Sequence, residues 1–169
     1  MKNKIVIILV FFFFSCQKEK KASFKTFEIS YTDGWISDYS FLIDSTGKYY
    51  CKRLVDYPSI GKLPDSIFFQ INNLSHEILR IKKFDSIKNN CFDCSILSIK
   101  VKDRNEEIII YQKGNVDKKY NKLTFLLGRF LEKVENRKKD TLICFETESA
   151  IVPPMPLPYS EYKKRKINK

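Results

Sequence analysis

Cys91 and Cys94, in CFDC, stand with two residues between them, the spacing of thiol pairs that form, break or exchange disulfides. In redox motifs of this kind the attacking cysteine heads a helix whose N-terminus lowers its pKa, whereas here the pair leads into a strand-like run. Cys51 and Cys144 complete a set of four cysteines beyond residue 16. In an oxidising compartment an even number points to disulfides, with three pairings if all four are used. The pair Cys91 and Cys94 is thus readable as a structural bridge, a labile local disulfide or a redox couple. A metal site built from all four lacks a second close pair. His76 and Glu77 (HEILR) open like the helix of zinc proteases, in which two histidines four apart share one face, but position 80 is Arg. A cation where a ligand should stand argues against zinc, and His76 reads as a surface residue. It is the sole histidine, so a Ser/His/Asp or Cys/His nucleophile has nothing else to be built on. Asp33 and Asp38 read as turn residues rather than an acid–base pair. Trp35, Tyr31 and Tyr39 beside Gly34 form either an aromatic platform or hairpin packing. The five glycines stand apart, so there is no phosphate-cradling loop or nucleophile elbow.

The elements that must carry these residues are legible from period. Phe24 to Tyr31 alternates aromatic and β-branched residues, and Tyr39, Phe41 and Ile43 alternate with Ser40, Leu42 and Asp44. DSTGK (Asp44 to Lys48) is turn chemistry, and YYCKRL (Tyr49 to Leu54) returns, which makes a hairpin. Pro58, Gly61 and Pro64 read as a loop. Ile67, Ile71, Leu74, Ile78 and Ile81 then form a helical stripe opened by Pro64 and Asp65. Cys94 to Val101 and Glu107 to Gln112 form a second hairpin around Lys102 to Asn105. Lys113 to Lys122 reads as a polar loop. Leu123, Leu126, Leu127, Phe130, Leu131 and Val134 mark a second amphipathic helix, and TLICF (Thr141 to Phe145) a last strand. The expectation is a two-layer α+β domain of order βββ-α-ββ-α-β. Two hairpins and extra strands make an antiparallel sheet, covered by two amphipathic helices.

Ahead of that domain lies MKNKIVIILVFFFFSCQKEKK. Lys2 and Lys4, the apolar run Ile5 to Phe14 and the small Ser15 have the order of a secretory signal. Ten apolar residues at about 1.5 Å each reach roughly 15 Å, too short for a hydrocarbon core of about 30 Å. The Ser15-Cys16 junction resembles the lipobox of bacterial lipoproteins, with Phe13 and Phe14 standing where Leu and a small residue are usual. The resemblance implies cleavage before Cys16, a diacylglycerol on its thiol and an acylated new amino terminus, palmitate-type chains that together suffice for stable anchoring. Gln17 rather than Asp resembles the sorting pattern for the outer membrane, with the domain facing the periplasm. The organisation read here is signal peptide 1–15, lipidated Cys16 and tether 16–23, α+β domain 24–148, and Pro-rich basic tail 149–169.

The stretch from Phe24 to Asn136 resembles an uncharacterised domain family found mostly in bacterial lipoproteins and secreted proteins. The resemblance rests on YSFLIDSTGKYYCKR, LPDSIFFQINNL, CSILSIKVKDRNEEIIIY and the Leu123 to Val134 helix. That family usually carries Cys-Phe-Gly-x-Cys-Pro before its second strand, where this chain has DGWISDYS. The likeness is one of element order and implies the fold; the family has no established activity to carry over.

With 31 Lys and Arg against 20 Asp and Glu the chain carries +11, and losing Lys2 and Lys4 with the leader leaves it basic. Positive charge favours anionic partners. An extracytoplasmic address turns that preference from nucleic acid towards phospholipid and other envelope components. KKRK (Lys163 to Lys166), after the proline run Pro153 to Pro158, reads as a solvated tail or a headgroup contact. The sequence therefore describes a lipid-anchored envelope protein that binds a protein, peptide or envelope component without catalysis, cofactor or metal. The second reading is a thiol–disulfide redox-responsive protein using Cys91 and Cys94.

Overall fold

The computed structural model describes residues 22–34, 38–53, 58–81, 86–88, 91, 94–134 and 143–150. Its elements are β1 (Thr26–Thr32), β2 (Asp38–Asp44), β3 (Lys48–Arg53), β4 (Ser59–Lys62), α1 (Asp65–Ile81), β5 (Ser86–Lys88), β6 (Ile96–Lys102), β7 (Glu107–Lys113), α2 (Lys118–Leu131) and a 3-10 helix (Glu146–Ala150). One seven-stranded sheet runs in the order β4-β3-β2-β1-β6-β7-β5. Every neighbouring pair is antiparallel except β5 with β7, which is parallel.

Alternation assigns the two faces. Phe27, Ile29, Phe41, Ile43, Cys51, Leu97, Ile99 and Val101 are wholly buried, and the register sets Ile29 opposite both Phe41 and Ile99. Their neighbours Glu28, Ser30, Ser40, Ser98 and Lys100 point to the other face because strand side chains have a period of two. The β2–β3 turn is fixed by Asp44: its carbonyl accepts from Gly47 N at 3.0 Å and its carboxylate from Thr46 N at 2.8 Å. Gly47 takes φ +80, a conformation that costs a residue with a Cβ.

Both helices lie on the apolar face. α1 buries Ile67, Ile71, Leu74 and Ile78, each stabilising the fold by about 1.5–3 kcal/mol. α2 is capped by Asp117, whose side chain accepts from Lys119 N, and buries Tyr120, Leu123, Thr124, Leu127 and Leu131. Tyr39 locks α2 to the sheet: its hydroxyl donates to the Thr124 carbonyl at 2.6 Å. Phe130 meets Tyr49 edge-on at 5.3 Å and stacks near Phe41. The two-layer α+β arrangement and its two covering helices are thus as the period of the sequence describes them.

Local boundaries differ. Ser59–Lys62, read as loop from Pro58, Gly61 and Pro64, is an edge strand in which both prolines fall outside the hydrogen-bonded segment. β5 was unforeseen. α2 begins at Lys118 rather than Leu123, because Asp117 supplies the cap within what reads as a polar loop. Of the expected last strand, Thr141 and Leu142's neighbourhood lies outside the described residues, and Ile143 to Phe145 form no strand but run into the 3-10 helix.

Candidate functional site

The titratable groups gather on the sheet face turned away from the helices. There residues 143–150 cross β1 and β6 as a strap. Thr147, 4% exposed, donates from its backbone N at 2.6 Å and from its hydroxyl at 2.8 Å to the Glu28 carboxylate, itself 5% exposed. An ionised carboxylate only accepts, so Thr147 Oγ1 donates to it and receives from Ser30 at 2.7 Å, and Ser30 in turn receives from Ser40 at 2.7 Å. Each hydroxyl then donates once in one direction. Burial raises the Glu28 pKa, with Glu146 adding to the rise, while the Thr147 bonds and the Lys100 charge oppose it.

Charge fastens the strap on both sides of Thr147. Lys100 binds Glu146, and reaches Glu107 at 2.9 Å. Its burial lowers the Lys100 pKa, but the bonds to Glu146 and Glu107 outweigh that, and the net direction is upward. Lys52 pairs with Glu148 at 2.8 Å and lies 5.4 Å from the Phe145 ring. Beside the strap an open cleft of about 270 Å³ is lined by residues that include Lys25, Glu28, Leu42, Lys100, Lys102 and Cys144. Glu28, the only deeply buried acid among the described residues, is occupied by the strap, so the arrangement closes a face of the fold.

The cysteines are divided by the sheet. Cys51 is a free thiol on the helical face, wholly buried, and burial pushes its pKa up to about 12. Cys144 is a free, exposed thiol on the strap. Cys91 and Cys94 are bonded, with their Cα atoms 6.0 Å apart. None of the three pairings that use all four cysteines is therefore formed: one bridge, Cys91–Cys94, stands alone, with Cys51 and Cys144 free. Cys94 precedes β6, not a helix. Cys16 and Trp35 lie outside the described residues. Tyr39 belongs to the core and stacks on Tyr31 at 5.6 Å. Asp33 follows β1 and Asp38 opens β2. His76 is exposed on α1, and Glu77 accepts from Lys119 of α2 at 3.0 Å. Among the described residues no group of three or more His, Cys, Asp and Glu is placed to hold a metal ion.

Sequence reasoning singled out neither Glu28 nor Thr147, which lies beyond the last strand read, and took Lys100 only as an outward strand residue. Arg129 and Lys133 fall on the wet side of the second helix as its period describes, but Phe125 on that side was missed. Phe125 there is 69% exposed, with the Arg129 guanidinium 5.3 Å from its ring. Lys118 and Lys122 share that side at helical spacing. Phe69, on α1, is also exposed. Comparison of the chain with family models, with curated proteins and with solved structures finds no match.

Proposed function

We propose that the chain is a lipid-anchored envelope protein whose α+β domain is a non-catalytic binding module, held by Cys16 at the outer membrane and facing the periplasm. The observation that carries this reading is the junction of the apolar run Ile5 to Phe14 with Ser15, Cys16 and Gln17, the pattern of a lipoprotein leader. The distribution of surface groups supports the binding role. On the strap face Glu28, Lys52 and Lys100 are engaged within the fold, whereas the helical layer turns Phe69 and Phe125 outward. A ring left exposed beside a cation, as Phe125 is beside Arg129, offers a partner both apolar area and charge. No helix among the described residues is long and apolar enough to cross a membrane, so attachment in this reading is through the acyl chains.

Intact-mass analysis of protein from its native membranes tests the anchor: a diacylglyceryl, N-acylated Cys16 as the first residue is expected, and an unmodified thiol or a retained Met1 would refute it. Crosslinking in the same membranes tests the module by asking what lies against the helices. A second reading is a redox-responsive protein that uses the bonded pair Cys91 and Cys94. A reduction potential well below about −300 mV would mark that bridge as inert and remove the alternative.

A further inference from the structure

The outer side of α2 is cationic in a way that the helix itself does not explain. Lys118, Lys122, Phe125 and Arg129 recur at intervals of four, three and four, a single stripe opposite the buried Tyr120, Leu123, Leu127 and Leu131, and Lys133 extends it in the turn that follows. The helix contains no acidic residue. Lys118 sits in the first turn, where the helix dipole disfavours positive charge, so its placement opposes helix stability rather than serving it, and Lys122, a turn further on, gains nothing from the dipole. At the middle of the stripe stands Phe125, the most exposed of the large apolar side chains among the described residues.

The approach of the chain from its amino end supplies a second constraint. Ser23 is clamped to α1: its backbone N donates to Asn72 Oδ1 at 2.7 Å and its hydroxyl to the Asn72 carbonyl at 3.1 Å. The entry to the fold is therefore tied to the helical layer, not to the strap. In the anchored protein residues 16–23 span at most about 30 Å even when fully extended. A tether that short, fixed to a helix, keeps the helical layer close to the bilayer.

We infer that the outer face of α2 is a docking surface for the anionic headgroups of the bilayer in which the protein is anchored, with the stripe's cations on the phosphates and Phe125 at the interface. This rests on the lipid-anchored reading above. Cations beside one aromatic ring match a negatively charged lipid surface in both charge and polarity. The contact orients the domain helices-down and leaves the strap face and its cleft turned towards the aqueous space.

The test is amine labelling, read by mass spectrometry, of the full chain from its native membranes after transfer into vesicles of phosphatidylcholine alone or of phosphatidylcholine with phosphatidylglycerol. Labelling of Lys118, Lys122 and Lys133 is expected to fall about threefold or more in the anionic vesicles and to recover in high salt, while Lys48 and Lys62 on the far side of the sheet stay unchanged. Phe125→Ser and Lys122→Glu alter exposed side chains, so the fold persists and the protection is lost. Equal labelling in the two lipid compositions, or protection of Lys48 and Lys62 instead, would overturn the assignment. So would α2 protection seen in native membranes but not in anionic vesicles, which would mean an acidic protein partner. The mass of the same sample reports the acylation of Cys16, so failure of the anchor and failure of the docking face are read separately.

Discussion

Glu28 shows how one side chain can be both buried and tolerated. Its burial penalises the charged form, and two donations from Thr147 offset much of that penalty. Because the folded-state pKa is raised above the ordinary 4.5, the folded protein binds the extra proton more tightly than the unfolded chain. The contribution is fully present below pH 4.5 and is lost as pH rises through the raised value. Glu28→Gln keeps an acceptor for Thr147 and has no charge to desolvate. The stability of wild type relative to this variant should therefore decline as pH rises from 4.5 and then level off. Urea melts across that range check it, and parallel curves would refute it. The thiols offer a second prediction at this scale. Iodoacetamide should modify Cys144 in the native protein and Cys51 only on unfolding, since Cys51 is wholly buried and its thiol is held in the protonated form. Peptide mapping after a native pulse gives the answer.

Among the elements, those written in local pattern were the legible ones. The hairpin β2–β3 announces itself through DSTGK and its flanking alternation, and α1 through apolar residues at helical spacing after Pro64. β4 was hidden because the residues that punctuate it, Pro58 and Pro64, are also what keeps an edge strand short. β5 has three residues and is held by parallel pairing with β7, an association that no local periodicity encodes. Gly61 in β4 has a steric reason to be glycine: a Cβ there would fall 2.6 Å from the Tyr49 hydroxyl oxygen and 2.8 Å from the adjoining ring carbon. Tyr49 has little room to retreat, being packed on Phe41 and Phe130. Gly61→Ala should destabilise the fold by about 1–3 kcal/mol and loosen Tyr49, seen as faster amide exchange along β3 and β4.

At the scale of the molecule, the sheet is a partition with an apolar layer on one side and a charged closure on the other. The candidate site was the least legible part for that reason: Glu28, Ser30 and Ser40 sit at strand positions that read as solvent-facing, and what covers them is Thr147, 119 residues along the chain from Glu28. Nothing in a window of ten residues signals such a contact. Phe145, 3% exposed, anchors the strap, so Phe145→Ala should cost about 3 kcal/mol. It should also release the strap first, which cleavage by a glutamate-specific protease after Glu146 or Glu148 and lost exchange protection at Thr147 would report. The separation of 119 residues also sets a clock for the newborn polypeptide. At roughly 5–20 residues per second, synthesis needs about 6–24 s to travel from that acid to its cap. Throughout that interval the Glu28 face of β1 lacks its cover, and until β6 (Ile96–Lys102) is made β1 also has an unsatisfied flank, where a holding factor that binds nascent strands has its window of greatest effect.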